Sequence, residues 1–132
     1  PENKTAARAE RWRRIVRESA KQCDRVPPPE AGAPAPLDQF LRETENFDLK
    51  LVAWLGDGRK KIGEVLKNAA QKDPPLSAAL LLGPEGGLTP EEVESARAAG
   101  FIPVDLGPRI LRADTAPIAI TAMLQHVLGD MG

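Results

Sequence analysis

Cysteine is nearly missing from this 132-residue chain. Cys23 stands alone, so no internal disulfide forms and no thiolate cluster holds a metal. His126 is the one histidine, and without a second His or Cys it builds no metal site. Tyrosine is absent, and Trp12, Phe40, Phe47, Trp54 and Phe101 are the only aromatics, so the core falls to Leu, Val, Ile and Ala. Net charge is close to balance at −1, which argues against wholesale electrostatic capture of nucleic acid while leaving room for a local basic patch. No apolar run approaches membrane-spanning length, and with the single reduced thiol this sets the expectation of a cytoplasmic location. Familiar nucleotide motifs are missing too. No Walker-type lysine follows the glycine turn Gly83–Gly87, and no G-x-G-x-x-G with a downstream acid closes a strand.

What is present centres on Ala78-Ala79-Leu80-Leu81-Leu82-Gly83-Pro84-Glu85-Gly86-Gly87-Leu88-Thr89-Pro90-Glu91-Glu92. An apolar run reading as a buried strand ends in a glycine-rich turn and passes at once into a helix. Thr89 suits the N-cap, Pro90 the first helical position, and Glu92 completes a capping box. Strand, glycine turn and helix start together bring backbone N–H groups close to a docked small molecule. Leu106-Gly107-Pro108-Arg109-Ile110-Leu111-Arg112-Ala113-Asp114-Thr115-Ala116 repeats the plan one unit later. Two such turns side by side make a pocket, with Ile110 and Leu111 as an apolar wall and Arg109 and Arg112 as cationic ends. Glu85 is expected to face solvent.

The rest of the chain is consistent with one domain. Residues Lys4 to Cys23 read as a helix with Trp12, Ile15, Val16, Ser19, Ala20 and Cys23 on its inner face. Cys23 reads as a small buried apolar residue, and His126 as packing or surface. Arg8, Arg11, Arg13, Arg14 and Arg17 are either a solvated helix face or a phosphate-contacting surface for RNA. Val26 to Pro36, rich in proline, reads as a loop within the domain. Leu37 to Glu43 predicts a short helix, Leu49 to Leu55 a strand, and Lys60 to Gln71 a helix stopped by Pro74 and Pro75. Ala78 to Leu82 predicts a second strand and Pro90 to Gly100 a helix closed by a left-handed glycine. Phe101 to Leu106 predicts a third strand. Asp114 to Leu128 predicts a last helix carrying Ile118, Ala122, Met123 and Val127 inward. Apolar strands alternating with helices argue for an α/β fold, a mostly parallel sheet with helices on both faces.

Gly83 to Glu92, then Ala98-Ala99-Gly100-Phe101, then Leu106 to Arg112 with Thr115-Ala116, closely resemble the signature of the RsmE-type ribosomal RNA methyltransferases. Glu10-Arg11-Trp12-Arg13-Arg14-Ile15 and Ala20-Lys21-Gln22-Cys23 are similar to the helix that precedes the knot in that family. The resemblance covers most of the chain and implies a SPOUT-class α/β domain ending in a trefoil knot. It also implies S-adenosylmethionine as methyl donor, N3 of a uridine in 16S ribosomal RNA as acceptor, no metal, and a homodimer. Two departures stand out. Arg112-Ala113-Asp114-Thr115-Ala116 replaces the usual Arg-Thr-Glu-Thr-Ala. The family's N-terminal RNA-binding barrel and first strand–helix–strand portion have no counterpart in residues 1–132, so the chain is expected to be the catalytic-domain portion.

Carried over by motif, Gly83, Glu85, Gly86 and Gly87 are expected to form one wall of the cofactor site. Leu106, Gly107, Ile110, Leu111, Thr115 and Ala116 form the other, and Leu55 closes the adenine side. Arg109 or Arg112 is expected to favour the anionic uracil, with Asp114 or Glu85 as proton acceptor. The alternative for these charged groups is structural pairing with one another. For the whole chain the alternatives are a non-catalytic knotted module that binds cofactor or partner, and another SPOUT RNA methyltransferase.

Overall fold

The structure is a computed structural model, and it describes residues 2–71 and 77–131. Pro74 and Pro75, the expected helix stop, lie outside the described residues. The chain divides into two compact units, Pro1–Pro36 and Leu37–Gly132, each described by itself.

The first unit is one long helix, α1 (Glu2–Gln22), followed by irregular chain through the proline-rich run. Its shielded line is narrower than the sequence predicts. Ala9 and Ala20 are buried and Val16 is half-buried, whereas Trp12, Ile15, Ser19 and Cys23 are exposed. Helical periodicity says which residues share a face but not how far across that face the cover extends. Cys23 is therefore a surface thiol rather than a buried apolar residue, its Sγ 3.7 Å from the Ala20 carbonyl.

The second unit holds the sheet. Its elements run α2 (Leu37–Glu43), β1 (Leu49–Ala53), β2 (Lys60–Lys61), α3 (Ile62–Ala70), β3 (Ala78–Leu81), α4 (Pro90–Ala98), β4 (Ile102–Asp105) and α5 (Ala116–Leu128). Among the described residues the four strands form one sheet in the order β2-β4-β1-β3, with every pairing parallel. Strand alternation then sorts the core into two layers. Leu49 and Leu51 point to one face and pack with Val104, with Ile62, Val65 and Leu66 of α3, and with Ile120 of α5. Val52 and Ala79 point to the other, against Ala96 of α4 and Phe101, with Phe40 and Leu41 of α2 packed alongside. Helices cover both faces, as the apolar strands predict.

Local chemistry fixes the joints. Thr89 Oγ1 accepts from Glu92 N at 3.2 Å while Glu92 Oε2 accepts from Thr89 N at 2.8 Å, a complete capping box contributing about 1 kcal/mol to the start of α4. Its other end is a Schellman closure. Gly100 N donates to Arg97 O and Phe101 N to Ala96 O, both at 2.9 Å, and Gly100 takes the left-handed φ of 88°. Asp48 and Ser77 tie the starts of β1 and β3 together, the carboxylate accepting from Ser77 N at 3.1 Å. In α2, Arg42 donates to Asp38 at 2.7 Å and holds that carboxyl below its usual range.

Three expectations need correction. Lys60-Lys61 is an edge strand paired with Val104 and Asp105, and α3 starts only at Ile62. The α5 helix begins at Ala116, not Asp114. Its inner face carries Ile120, Met123, Leu124 and Leu128. Ile118 is 73% exposed, and Ala122 and Val127 also lie outward. The segment from Ile118 to Leu128 is apolar on most sides, so no stripe stands out in its pattern.

Candidate functional site

The carboxyl ends of β1, β3 and β4 converge, and the segments leaving them wall a cavity of about 240 Å³. Its volume falls just below the range of about 300–1,000 Å³ common for small-molecule pockets.

The first wall is the turn after β3. Gly87 N donates to Pro84 O at 2.8 Å, folding Pro84 to Gly87 back under the start of α4. A Cβ on Gly83 would stand 2.8 Å from Leu88 N and 2.9 Å from Gly87 C, both backbone atoms, so only glycine fits there. Gly87 has φ 77°, which glycine adopts without penalty. Nothing crowds Gly86, which does not line the cavity.

The second wall is the chain after β4, and the third is Ala53-Trp54-Leu55 after β1. They are tied together by Asp105. Its Oδ1 accepts from Gly107 N at 3.1 Å, and its Oδ2 meets Arg59 Nε at 3.2 Å. Arg59 in turn donates from Nη1 to Gly56 O at 3.0 Å. From the opposite side, Arg97 of α4 donates to Asp57 O at 2.7 Å and lies against Gly58, whose φ is 75°. A Cβ there would meet the guanidinium at 2.8 Å. The short loop 56–59 is thus held by its own Arg59, anchored on Asp105, and by Arg97 of α4.

Of the expected cofactor residues, Leu55, Gly83, Glu85, Gly87, Leu106, Ile110, Leu111 and Ala116 line this cavity, and so does Arg109. Gly86, Gly107 and Thr115 do not. Gly107 shapes the wall from behind, with φ 108° and its N–H on Asp105. Ala53, Trp54, Leu82, Pro84, Leu88, Val104, Asp105 and Ala113 also line the cavity, beyond the residues the motifs point to. Trp54 lies so close to the Gly56 backbone that a Cβ there would overlap its indole.

A second cavity of about 380 Å³ adjoins the first. Glu85, Ile110, Leu111 and Ala113 border both, which makes the Ile110-Leu111 segment a partition between them. Arg112 and Asp114 lie on the second cavity alone, with Arg112 Nε 3.4 Å from Asp114 Oδ1 and the Arg112 side chain 85% exposed. Thr115 Oγ1 reaches the same carboxylate oxygen at 3.3 Å. So the three expected catalytic groups are split, Arg109 on the first cavity, Arg112 and Asp114 on the second.

Two features fit a cofactor with an aromatic base, a sugar and a charged tail. The first cavity is apolar over most of its lining, and glycine brings bare backbone to its edge at Gly83. Among the described residues no group of His, Cys, Asp and Glu is arranged to hold a metal, and His126 is exposed on α5. No described helix is long and apolar enough to cross a membrane.

A parallel α/β sheet with a ligand cavity across its carboxyl strand ends defines a small-molecule-binding α/β domain. A family model described as an RNA methyltransferase domain matches residues 1–125, and the chain belongs to that family. It is 41% identical over 122 residues to ribosomal RNA small subunit methyltransferase E of Synechocystis sp., covering 90% of this chain and 39% of that protein. To the Bacillus subtilis protein of the same name it is 35% identical over 136 residues, 98% of this chain and 52% of that one. The chain therefore spans about half the length, or less, of these relatives. Among solved structures it superimposes on ribosomal RNA small subunit methyltransferase E from Neisseria gonorrhoeae bound to S-adenosyl methionine. The TM-score there is 0.83 at 33% identity, covering 98% of this chain and 52% of that one. A putative methyltransferase from Legionella pneumophila in complex with the cofactor SAM gives a TM-score of 0.81 at 35% identity, over 95% of this chain and 48% of that one. The resemblance read from the two turn motifs is borne out.

Proposed function

We propose that this chain is the catalytic portion of an S-adenosylmethionine-dependent methyltransferase acting on N3 of a uridine in 16S ribosomal RNA. The observation that carries the reading is the pair of adjoining cavities with Glu85 and Ile110-Leu111 on both. Leu55, Leu106 and Leu111 offer the base of the donor an apolar slot, and the backbone around Gly83 and Gly87 offers its polar groups close partners. The bound donor supplies a methyl group already activated on a sulfonium, so the protein's work is orientation and proton handling. In this reading the uracil enters the second cavity, where Arg112 stabilises the negative charge that develops on the ring as N3 loses its proton. Asp114, within reach of Arg112, or Glu85, on the shared border, accepts that proton.

Calorimetry with S-adenosylmethionine followed by methyl transfer to small ribosomal subunits tests the assignment. Arg112→Ala is expected to keep cofactor affinity and lower turnover by about a hundredfold, the scale of one lost charge-stabilising donor. Unchanged turnover removes Arg112 from the chemistry. A second reading, cofactor binding without transfer, is favoured by the ion pair that engages Arg112 and Asp114 with each other. Heat of cofactor binding with no methyl incorporated by the unsubstituted chain would select it.

The resemblance-derived knot and homodimer belong to this proposal. The outward residues of α5, Ile118 and Ala122, form an apolar face that a second copy can cover. Light scattering is expected to give twice the chain mass, and a monomer at micromolar concentration would discard the dimer.

A further inference from the structure

The near-neutral charge of the chain conceals a strong separation. Its first 25 residues hold eight basic and four acidic side chains, a net of +4, and the other 107 hold ten basic and fifteen acidic, a net of −5. Nearly all of the positive group is on α1.

Within α1 the charges divide again by partnership. Glu10 takes Arg17 at 3.3 Å and Arg13 at 3.8 Å, and Glu18 takes Lys21 at 3.2 Å. These pairs use both acids of the helix interior. Arg8, Arg11 and Arg14 make no ion pair among the described residues, and all three are exposed. Spaced three apart, at about 100° per residue, they sweep about 120° of the helix opposite the line of Ala9, Val16 and Ala20. Lys4 extends the same side by one turn. Trp12, four residues after Arg8 and 41% exposed, borders this surface with an aromatic face on which an unpaired base can stack.

We infer that the Lys4, Arg8, Arg11 and Arg14 side of α1 is an RNA-docking surface that holds the phosphate backbone of the substrate. The inference rests on the methyltransferase reading for the identity of that RNA. Three guanidinium groups with no ion-pair acceptor among the described residues are poised for bidentate contact to phosphate oxygens. An anionic membrane is the weaker occupant. Ile15 falls between Arg8 and Arg11 on the helical circumference, so no continuous apolar face is left to enter lipid. The remainder of the chain is net acidic, so α1 carries most of the net positive charge available to a phosphate backbone.

The test compares the unsubstituted chain with Arg8→Gln/Arg11→Gln/Arg14→Gln and with Arg13→Gln/Arg17→Gln. Binding to a labelled hairpin of small-subunit ribosomal RNA is followed by anisotropy against salt. The triple variant is expected to lose about 2 units of the log affinity against log salt slope, and about tenfold or more in affinity at low salt. The double variant, whose arginines already face Glu10, is expected to lose less than half a unit, while the triple Arg→Lys variant regains most of the slope. Equal slopes in the triple variant and the unsubstituted chain overturn the inference. So does a loss that merely follows the number of charges removed in all variants, or tighter binding to phosphatidylserine vesicles than to RNA. Calorimetry with S-adenosylmethionine on the same samples separates the two claims. Cofactor binding with methyl transfer but no slope change leaves the function and removes the docking surface. A slope lost in the triple variant without any cofactor heat does the reverse.

Discussion

Replacing Gly83 by alanine is expected to weaken S-adenosylmethionine binding by about a hundredfold, the effect of moving a ligand-contacting backbone by about 1 Å. The cause is local and has no side-chain escape. The added methyl would stand against Leu88 N and Gly87 C, and neither atom can rotate away as a side chain does. The turn must open, carrying with it the Pro84–Gly87 hydrogen bond and the capped start of α4. A stability loss of about 1–3 kcal/mol accompanies it, the usual cost of overpacking. The neighbouring glycines grade the effect. Gly87→Ala meets no atom but must keep φ near 77°, which costs about 1–2 kcal/mol for a residue with a Cβ. Gly86→Ala meets neither obstacle and is expected to bind cofactor as the unsubstituted chain does. Calorimetry on the three variants reads the order directly. Equal affinities for Gly83→Ala and Gly86→Ala would mean that the cofactor does not use this turn.

Leu66→Ala is expected to cost about 3–4 kcal/mol of folding stability. Leu66 is buried between α3 and the sheet face that carries Leu49, Leu51, Val104 and Ile120, and its loss leaves a void that β-strand backbone cannot close. Against a total of about 5–15 kcal/mol for a domain of this size, much of the stability goes, and the urea midpoint falls by about 1–2 M. Leu55→Ala removes the same atoms from a side chain that is 53% exposed at the cavity mouth. It is expected to leave the midpoint within about 0.3 M while lowering cofactor affinity. If both leucines shift the midpoint alike, Leu55 belongs to the core and not to the pocket.

What could be read from the sequence was whatever local chemistry encodes. The capping box at Thr89 and Glu92, the left-handed Gly100, and the apolar runs of β1, β3 and β4 each specify their structure within a few residues. β2 was hidden because Lys60-Lys61 is charged and exposed, the composition of an edge strand and equally of a helix face. The inner face of α5 was misassigned because its apolar residues surround most of the helix, and only the neighbouring α3 selects Ile120 and Leu124 over Ile118 and Ala122. The same limit applies at the site. The two motif loops announced seven of the expected cofactor residues that line the cavity, and Leu55 the eighth from the end of β1, but Trp54 and Asp105 come from strand ends whose meeting depends on sheet order. The Arg59–Asp105 and Arg97–Asp57 contacts join residues 46 and 40 positions apart, beyond any periodicity.

The sheet order β2-β4-β1-β3 places no strand beside its neighbour in sequence among the described residues. Leu51 finds Leu80 only after a whole helix has passed, and Ile102 after a second. Assembly therefore has no hairpin to start from, and loop closure must precede every strand contact, which makes for slow folding. During synthesis β1 stays open on one side until Ile102 to Asp105 has left the ribosome. The cavity, walled by segments that follow β1, β3 and β4, cannot form until the chain has been made through Ala116.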